Sequence, residues 1–304
     1  MKKEIEKRTG FVAIVGPSNS GKSTFLNAAL GTKVSIVSHR PQTTLRAVKG
    51  ILNEQRGQMI FVDTPGLVKR DKLMSRSLNR LADEQAKGCD VAAWMFDASL
   101  SNVLDRIRNM QDIIKNWKPK AQSLCILNKV DKVDRRLLLP LLQEVDKLGL
   151  FQEMIPIAAR RQDGVDRVVD VLFNYLPVGD PLYPDDKVTD RSEDFLISEI
   201  IREKVYKITR QEIPYSVRVD IERYEGPTRK DIPHFLARVH SDSDSRKGIL
   251  IGKKGDVLKQ IGSLARQDVE RLLNRQVCLK LQVDVEKDWR RDERLVQRYL
   301  EIEV

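Results

Sequence analysis

The sequence predicts an α/β domain built on a mostly parallel sheet, followed by a smaller α+β domain. Three observations carry that expectation. From Phe11 to Leu176, short apolar runs alternate with segments of helical period, the pattern of strands joined by helical crossovers. Leu176 to Asp186 then holds three prolines and a glycine with little apolar periodicity, which marks a boundary. Beyond it the order is helix, strand, strand, helix, helix, strand. The expected division is 1–178, a linker over 179–190, and 191–304; a chain of 304 residues is long enough for two domains with a core each.

The first strand, Phe11 to Val15, runs into Gly16-Pro17-Ser18-Asn19-Ser20-Gly21-Lys22-Ser23-Thr24, and Phe25, Leu26, Ala28, Ala29 and Leu30 follow at helical spacing. A glycine-rich loop of the pattern G-x-x-x-x-G-K-[ST] between a strand and a helix is built to hold phosphates. Its backbone N–H groups and the helix N-terminus face an anion, Lys22 adds charge for the β and γ phosphates, and Ser23 offers a hydroxyl to Mg²⁺. The implied chemistry is nucleoside triphosphate binding. Ser38 to Thr44 is a polar segment without periodicity, a candidate switch, and Val48 to Leu52 reads as a strand. The next strand, Gln58 to Val62, ends in Asp63-Thr64-Pro65-Gly66. A carboxylate there can hold Mg²⁺ through water, and the Gly66 N–H can approach a γ-phosphate because no side chain blocks it.

Helices are expected over Leu73 to Ala86 and Val103 to Trp117, with a strand over Val91 to Phe96 between them. The strand Leu124 to Leu127 delivers Asn128-Lys129-Val130-Asp131, the pattern N-K-x-D. The Asp131 carboxylate can accept from N1–H and the 2-amino group of guanine. Adenine has an acceptor at N1 and no 2-amino group, so a buried carboxylate would be left unpaired, a penalty of about 10⁴-fold in discrimination. GTP is therefore expected over ATP. A helix over Arg135 to Leu148, a strand over Met154 to Ala158 and a helix over Val165 to Leu176 complete the domain. Every motif lies at the carboxyl end of its strand, where open α/β sheets bind ligands.

After the boundary, Ile197, Ile200, Ile201, Val205 and Ile208 recur at helical spacing, while Val217, Val219 and Ile221, then Phe235, Ala237 and Val239, alternate as half-buried strands. Ile249 to Ile251 leads into Gly252-Lys253-Lys254-Gly255, an amphipathic helix from Val257 to Leu273, and a period-two strand from Val277 to Val285. Arg246, Lys247, Lys253, Lys254 and Lys259 face only Asp256 in charge over this stretch. The net charge of +10 does not by itself locate a nucleic-acid site: basic residues exceed acidic ones by 29 to 20 over 1–180 and by only 24 to 21 over 191–304. Local placement has to carry that reading.

Composition excludes several classes. No apolar run approaches the ~18 to 20 residues of a membrane span, and the N-terminal Met-Lys-Lys-Glu-Ile-Glu-Lys-Arg lacks the apolar core of a signal peptide, so a cytoplasmic protein is expected. Cys89, Cys125 and Cys278 lie far apart, which indicates neither a disulfide framework nor a zinc site. His39, His234 and His240 show no metal-ligand spacing.

The ordered set of Gly16 to Ser23, Thr43-Thr44, Asp63 to Gly66 and Asn128 to Asp131 resembles the translation-factor-like GTPases. That resemblance implies that Gly16, Ser18, Asn19, Ser20, Gly21, Lys22, Ser23 and Thr24 cradle GTP or GDP. It implies that Ser23, Asp63 and a switch threonine hold Mg²⁺, with Thr44 favoured over Thr43, and that Lys22, Thr44, Asp63 and Gly66 form the catalytic set. Asn128, Lys129 and Asp131 would hold guanine. Two positions depart from the pattern. Ala158-Ala159 stands where a Ser-Ala pair is expected, leaving the Ala159 N–H as the contact, and Leu67 stands where Ras-like enzymes keep a water-orienting glutamine. Slow intrinsic hydrolysis, accelerated by a partner or a monovalent cation, is the consequence; Asn19 matches the asparagine of potassium-assisted relatives, which makes K⁺ a candidate.

The second half resembles a K-homology domain of the bacterial type (type II), whose G-x-x-G loop clamps about four single-stranded nucleotides. Ile251, Gly252, Lys253, Lys254, Gly255 and Lys259 are its expected RNA contacts. Together the halves resemble the Era-type ribosome-assembly GTPases, also through Pro41-Gln42-Thr43-Thr44, Thr189-Asp190-Arg191-Ser192, Ser198 to Lys204 and Pro214-Tyr215-Ser216-Val217. Leu45-Arg46 departs where that family carries Arg directly after the threonines. The family implies binding near the 3′ end of small-subunit ribosomal RNA, action on the small ribosomal subunit, a monomer, and a peripheral contact with the inner face of the cell membrane as an open alternative. GTP would shape the arrangement of the two domains and hydrolysis would allow release. The competing reading is a non-enzymatic RNA-binding adaptor with GTP as a structural ligand.

Overall fold

The computed structural model describes residues 6–37, 48–64, 88–116, 122–209, 217–225, 232–287, 289 and 294–295. They divide into two compact units: the described residues up to Ser35 and from Val48 to Asp190 belong to the first, and Ile36, Val37 and those from Arg191 onward to the second. The helix expected over Leu73 to Ala86 lies outside the described residues.

The first unit is a six-stranded sheet with helices between the strands. Its elements are β1 (Arg8–Val15), α1 (Lys22–Leu30), β2 (Val48–Glu54), β3 (Gly57–Asp63), β4 (Val91–Asp97), α2 (Val103–Asn109), α3 (Gln111–Asn116), β5 (Gln122–Asn128), α4 (Arg135–Asp146), β6 (Glu153–Pro156) and α5 (Val165–Tyr175). The strand order is β2-β3-β1-β4-β5-β6, parallel throughout except for β2, which runs antiparallel to β3. The central strands read as continuous apolar runs because both faces are covered, and Ile14, Phe61, Trp94, Phe96, Ile126 and Leu127 are fully buried. That order sets the ends of β1, β3, β4 and β5 side by side, so their terminal residues share one edge of the sheet.

Two expectations change in detail. The helix foreseen over Val103 to Trp117 breaks at Met110, whose φ of −101° and ψ of 0° leave the helical range. Ile107, Met110 and Ile114, at the i, i+3, i+7 spacing of one helical face, all reach the core of Trp94, Phe96 and Cys125. The last strand stops at Pro156, and Ala158 turns to bridge Asp163.

The linker foreseen over 179–190 is a strap on the first unit. Fully buried Gln58 donates to the Tyr183 carbonyl at 2.8 Å and accepts from the Leu182 and Tyr183 N–H groups. Asn53 holds the Asp185 and Lys187 carbonyls, the Ile51 N–H reaches the Val188 carbonyl at 2.9 Å, and the Thr189 hydroxyl donates to the Lys49 carbonyl at 2.7 Å. Prolines keep this stretch out of regular structure, yet its Leu182 and Tyr183 N–H groups and its Tyr183, Asp185, Lys187 and Val188 carbonyls find partners on β2 and β3.

The second unit holds α6 (Glu193–Ile208), β7 (Arg218–Arg223), β8 (His234–Ser241), α7 (Asp244–Ile251), α8 (Asp256–Leu273) and β9 (Cys278–Val285). Its sheet has the order β7-β8-β9, with β7 antiparallel and β9 parallel to β8. Ser192 starts α6 by accepting from the Phe195 N–H at 3.2 Å, with Glu193 and Asp194 complementing the helix dipole. Ile197, Ile201, Val205, Phe235, Ala237, Ile261, Ala265 and Val269 form its core.

Candidate functional site

The loop after β1 is shaped by close approach. Gly16 has φ +145°, and a Cβ there would lie 2.2 Å from the Met95 carbonyl oxygen of β4; a Cβ on Gly21 (φ +105°) would lie 2.1 Å from Asn128 Nδ2. Both positions therefore demand glycine on two counts, backbone conformation and space. Lys22, at the first turn of α1, folds back to donate to the Gly16 and Pro17 carbonyls, each at 3.1 Å. Burial pushes its ammonium down to about 8, against the pull of Asp63. Phosphate oxygens entering this loop would relieve that cost, since they supply the counter-charge that burial denies.

Asp63 closes β3 with no solvent exposure. Its Oδ2 accepts from the Ser23 hydroxyl and from the Ser35 hydroxyl, both at 2.8 Å, while its buried Oδ1 has no partner among the described residues. Burial drives the Asp63 carboxyl upward in pKa, opposed by Lys22 and the two hydroxyls. A hydroxyl and a carboxylate at hydrogen-bond distance, with one carboxylate oxygen unused, fit a hard divalent cation such as Mg²⁺. Thr64 ties this corner to β1 by donating to the Ile14 carbonyl at 2.9 Å. Thr43, Thr44, Gly66 and Leu67 lie outside the described residues.

The third motif braces the first. Asn128 Nδ2 donates to the Ser20 carbonyl at 2.8 Å, and its Oδ1 accepts from the Lys129 and Ala159 N–H groups at 2.8 and 3.1 Å. Asn128 thus works as a beam between the phosphate loop and the Ala158-Ala159 turn, and the Ala159 N–H expected on a base is spent on it. Lys129, in the left-handed region at φ +65°, sends its ammonium to the Asn19 carbonyl at 2.7 Å and to Asp97 Oδ2 at 2.6 Å. Burial opposes ionisation of Asp97, but hydrogen bonds from Lys129 and Ser99 outweigh it and hold the carboxyl below the usual range. Asp131 meets Arg161 at 3.3 Å. Sequence reasoning missed Asp97 and Arg161; the rule that strand carboxyl ends carry the chemistry would have flagged Asp97, whereas no local pattern marks Arg161.

In the second unit, a short turn over Lys253–Gly255, capped by Gly252 and with Lys254 in the left-handed region at φ +53°, joins α7 to α8, with Lys253, Lys254 and Lys259 exposed. Beside it, Gly255, Leu258, Lys259, Gly262, Ser263, Arg266, Leu279 and Leu281 line an open groove of about 360 Å³ between α8 and β9. Its floor is apolar and its rim basic, which suits unpaired bases on a phosphate chain. Arg246, one of the five basic residues of this stretch, is ion-paired with Asp242. Gly252 is required by the fold itself, because at φ +74° a Cβ would lie 2.5 Å from Val257 Cγ2, while Gly255 has open space around it. Ile251 ends α7 half-buried against the core of its unit.

A mostly parallel sheet presenting a phosphate loop, a hydroxyl–carboxylate cation site and an N-K-x-D turn on one edge defines a P-loop GTPase domain, here followed in the chain by an α+β unit of K-homology type. The family comparisons agree on both halves: a 50S ribosome-binding GTPase model matches residues 11–129 and a KH domain model matches residues 212–290. The chain is 39% identical over 293 residues to the GTPase Era of Syntrophus aciditrophicus (96% of this chain, 94% of that protein). It is 37% identical over 299 residues to the GTPase Era of Geotalea uraniireducens (97% and 98%). Among solved structures it is similar to Era in complex with MgGDPNP and nucleotides 1506–1542 of 16S ribosomal RNA, with TM-score 0.91 and 37% identity over 96% of this chain and 98% of that one. An Aquifex aeolicus Era variant bound to GDP·AlF4⁻ matches with TM-score 0.90 and 38% identity over the same shares. The chain belongs to the Era family of GTPases.

Proposed function

We propose that this chain hydrolyses GTP to GDP and phosphate while gripping single-stranded RNA at the 3′ end of 16S ribosomal RNA, and so assists assembly of the small ribosomal subunit in the cytoplasm. The observation that supports it most is the joint presence, in a chain similar over 96% of its length to Era in complex with MgGDPNP and nucleotides 1506–1542, of the Ser23–Asp63 pair and the groove beside α8 lined by Lys259 and Arg266. Among the described residues no helix is long and apolar enough to cross a membrane. The functional boundaries we assign are 1–178 and 191–304, with 179–190 as the strap.

Bound Mg²⁺ would supply charge neutralisation between the β and γ phosphates. The remaining work belongs to the chain. Lys22 trades two loop carbonyls for phosphate oxygens, Ser23 and Asp63 hold the cation, and Thr44 and Gly66 report the γ-phosphate. Asp131 exchanges Arg161 for the guanine edge, while Asn128 and Lys129 keep the phosphate loop and base pocket in register. Leu67 has no group to orient water, so the intrinsic rate is slow and K⁺ at Asn19 or the RNA complex supplies the acceleration. Hydrolysis then times RNA release.

The test is phosphate release from GTP by the full chain, with and without RNA carrying the 3′ end of 16S ribosomal RNA. Slow release that rises with this RNA and is competed by GDP but not by ADP supports the proposal. GTP bound and never turned over, with RNA present and K⁺ supplied, would sink it.

A further inference from the structure

The Asp63 carboxylate has two hydroxyl partners, and only Ser23 belongs to a phosphate-loop motif. The other is Ser35, which is 2% exposed and donates to the same Oδ2 at the same 2.8 Å. Ser35 is not held there by chance of loop geometry. Asn27, one turn beyond Ser23 on α1, accepts from the Val34 and Ser35 N–H groups, each at 3.0 Å, and donates through Nδ2 to the Ser35 carbonyl at 2.8 Å. All three hydrogen bonds join a helix side chain to the backbone of a short segment, which fixes the segment in both translation and rotation. One helix face thus delivers two hydroxyls to one carboxylate: Ser23 directly, and Ser35 through Asn27.

The chemistry of the site asks for such a partner. A hydroxyl whose oxygen binds a cation can still donate its proton, but Asp63 is fully buried and must stay ionised and correctly turned for Oδ1 to face the metal's water shell. Outer-shell hydrogen bonds to a metal-site carboxylate fix its rotation and its charge, and losing one costs about 10- to 100-fold in metal affinity. Ser35 is the residue placed to do this.

We propose that Ser35, clamped by Asn27, is a positioning residue of the Mg²⁺ site: it holds Asp63 so that Oδ1 stays turned to the cation. This rests on the assignment of Ser23 and Asp63 to Mg²⁺. Ser35 contacts no nucleotide in this reading and acts only through Asp63.

The experiment is a Mg²⁺ titration of GDP retention by the full chain, read by release of a fluorescent GDP, together with GDP affinity in excess chelator and thermal melting without Mg²⁺. Ser35→Ala should raise the Mg²⁺ concentration for half-maximal retention about tenfold, with Mg²⁺-free GDP affinity and melting close to wild type. Ser35→Thr keeps the hydroxyl and should restore the wild-type midpoint. Asn27→Ala should shift the midpoint in the same direction, and it carries the test if Ser35→Ala does not fold. Asp63→Ala serves as the control for the underlying assignment: its retention should lose Mg²⁺ dependence altogether. If Asp63→Ala abolishes the dependence while Ser35→Ala and Asn27→Ala keep the wild-type midpoint, the role of Ser35 is refuted and the Mg²⁺ site stands. If Ser35→Ala lowers melting but leaves the midpoint alone, Ser35 is structural only. If Asp63→Ala retains full Mg²⁺ dependence, the cation site itself is misassigned and the role of Ser35 falls with it.

Discussion

The two glycine loops of this chain look alike on paper and are built in opposite ways. In Gly16 to Ser23, side chains are spent inward: Lys22 on its own loop carbonyls, Ser23 on Asp63, and the neighbouring Asn128 on the Ser20 carbonyl. In Gly252 to Gly255, the lysines stand exposed on a short turn beside an open groove. The first loop is preorganised for a ligand of fixed shape, so its determinants are many and closely spaced. The second offers charge and access to a flexible chain, and few of its residues need a fixed place. The difference explains why one motif identifies its ligand so much more narrowly than the other.

Glycine substitutions separate the two designs most strongly. Gly16→Ala drives a Cβ to 2.2 Å from a backbone oxygen and should cost about 4 kcal/mol or more, seen as loss of the folded first unit in denaturant melts. Gly255→Ala meets open space and pays only for its left-handed φ of +82°, about 1 kcal/mol. A similar cost at both positions would break the contrast. Gly252→Ala should resemble Gly16→Ala in its own unit, because Val257 fills the space.

The charged residues give the next effect. Asp63→Ala should lower kcat for GTP by about 10²-fold or more, since the cation site loses a fully buried carboxylate, and steady-state phosphate release measures it. Asp97→Asn should be milder, with GDP affinity falling about tenfold as Lys129 loses its ionic partner, measured by equilibrium binding.

The smallest effect is set by pH. Lys22 titrates near 8 in the nucleotide-free protein because it is buried, and phosphate favours its protonated form. GDP affinity should therefore fall as pH rises through about 8, by at most tenfold per unit. Over the interval from about 8 to the ordinary value of 10.5, the unfolded chain retains a proton that the folded one has lost, so the stability of the nucleotide-free fold should rise with pH from this group. Calorimetry at several pH values checks both signs.

Much of this architecture was readable from residue order. Continuous apolar strands, the strand–loop–helix setting of Gly16 to Ser23 and the carboxyl-end position of Asp63 and Asn128 all follow from local pattern, and local pattern is what periodicity records. What could not be read depends on contacts between distant segments. Nothing in the local pattern of Gln58 marks it as the partner of the stretch at 182–183, which reads in sequence only as a proline-rich linker. Asp97 and Ser35 carry no motif; they matter because β4 and the segment after α1 end beside β3 and β5. Charge counting over the loop alone does not reveal that Arg246 pairs with Asp242, four residues earlier.

The most direct measurement is the affinity of the GDP-loaded full chain for a labelled single-stranded RNA carrying the 3′ end of 16S ribosomal RNA, compared between wild type and the Lys253→Ala/Lys254→Ala double variant. With two phosphate contacts removed, the variant should bind at least about tenfold more weakly and lose about 1.4 from the salt slope, while GDP affinity is unchanged. Equal RNA affinity and equal salt slope would mean that the strand is gripped elsewhere, and the assignment of the Gly252 to Gly255 loop would be wrong.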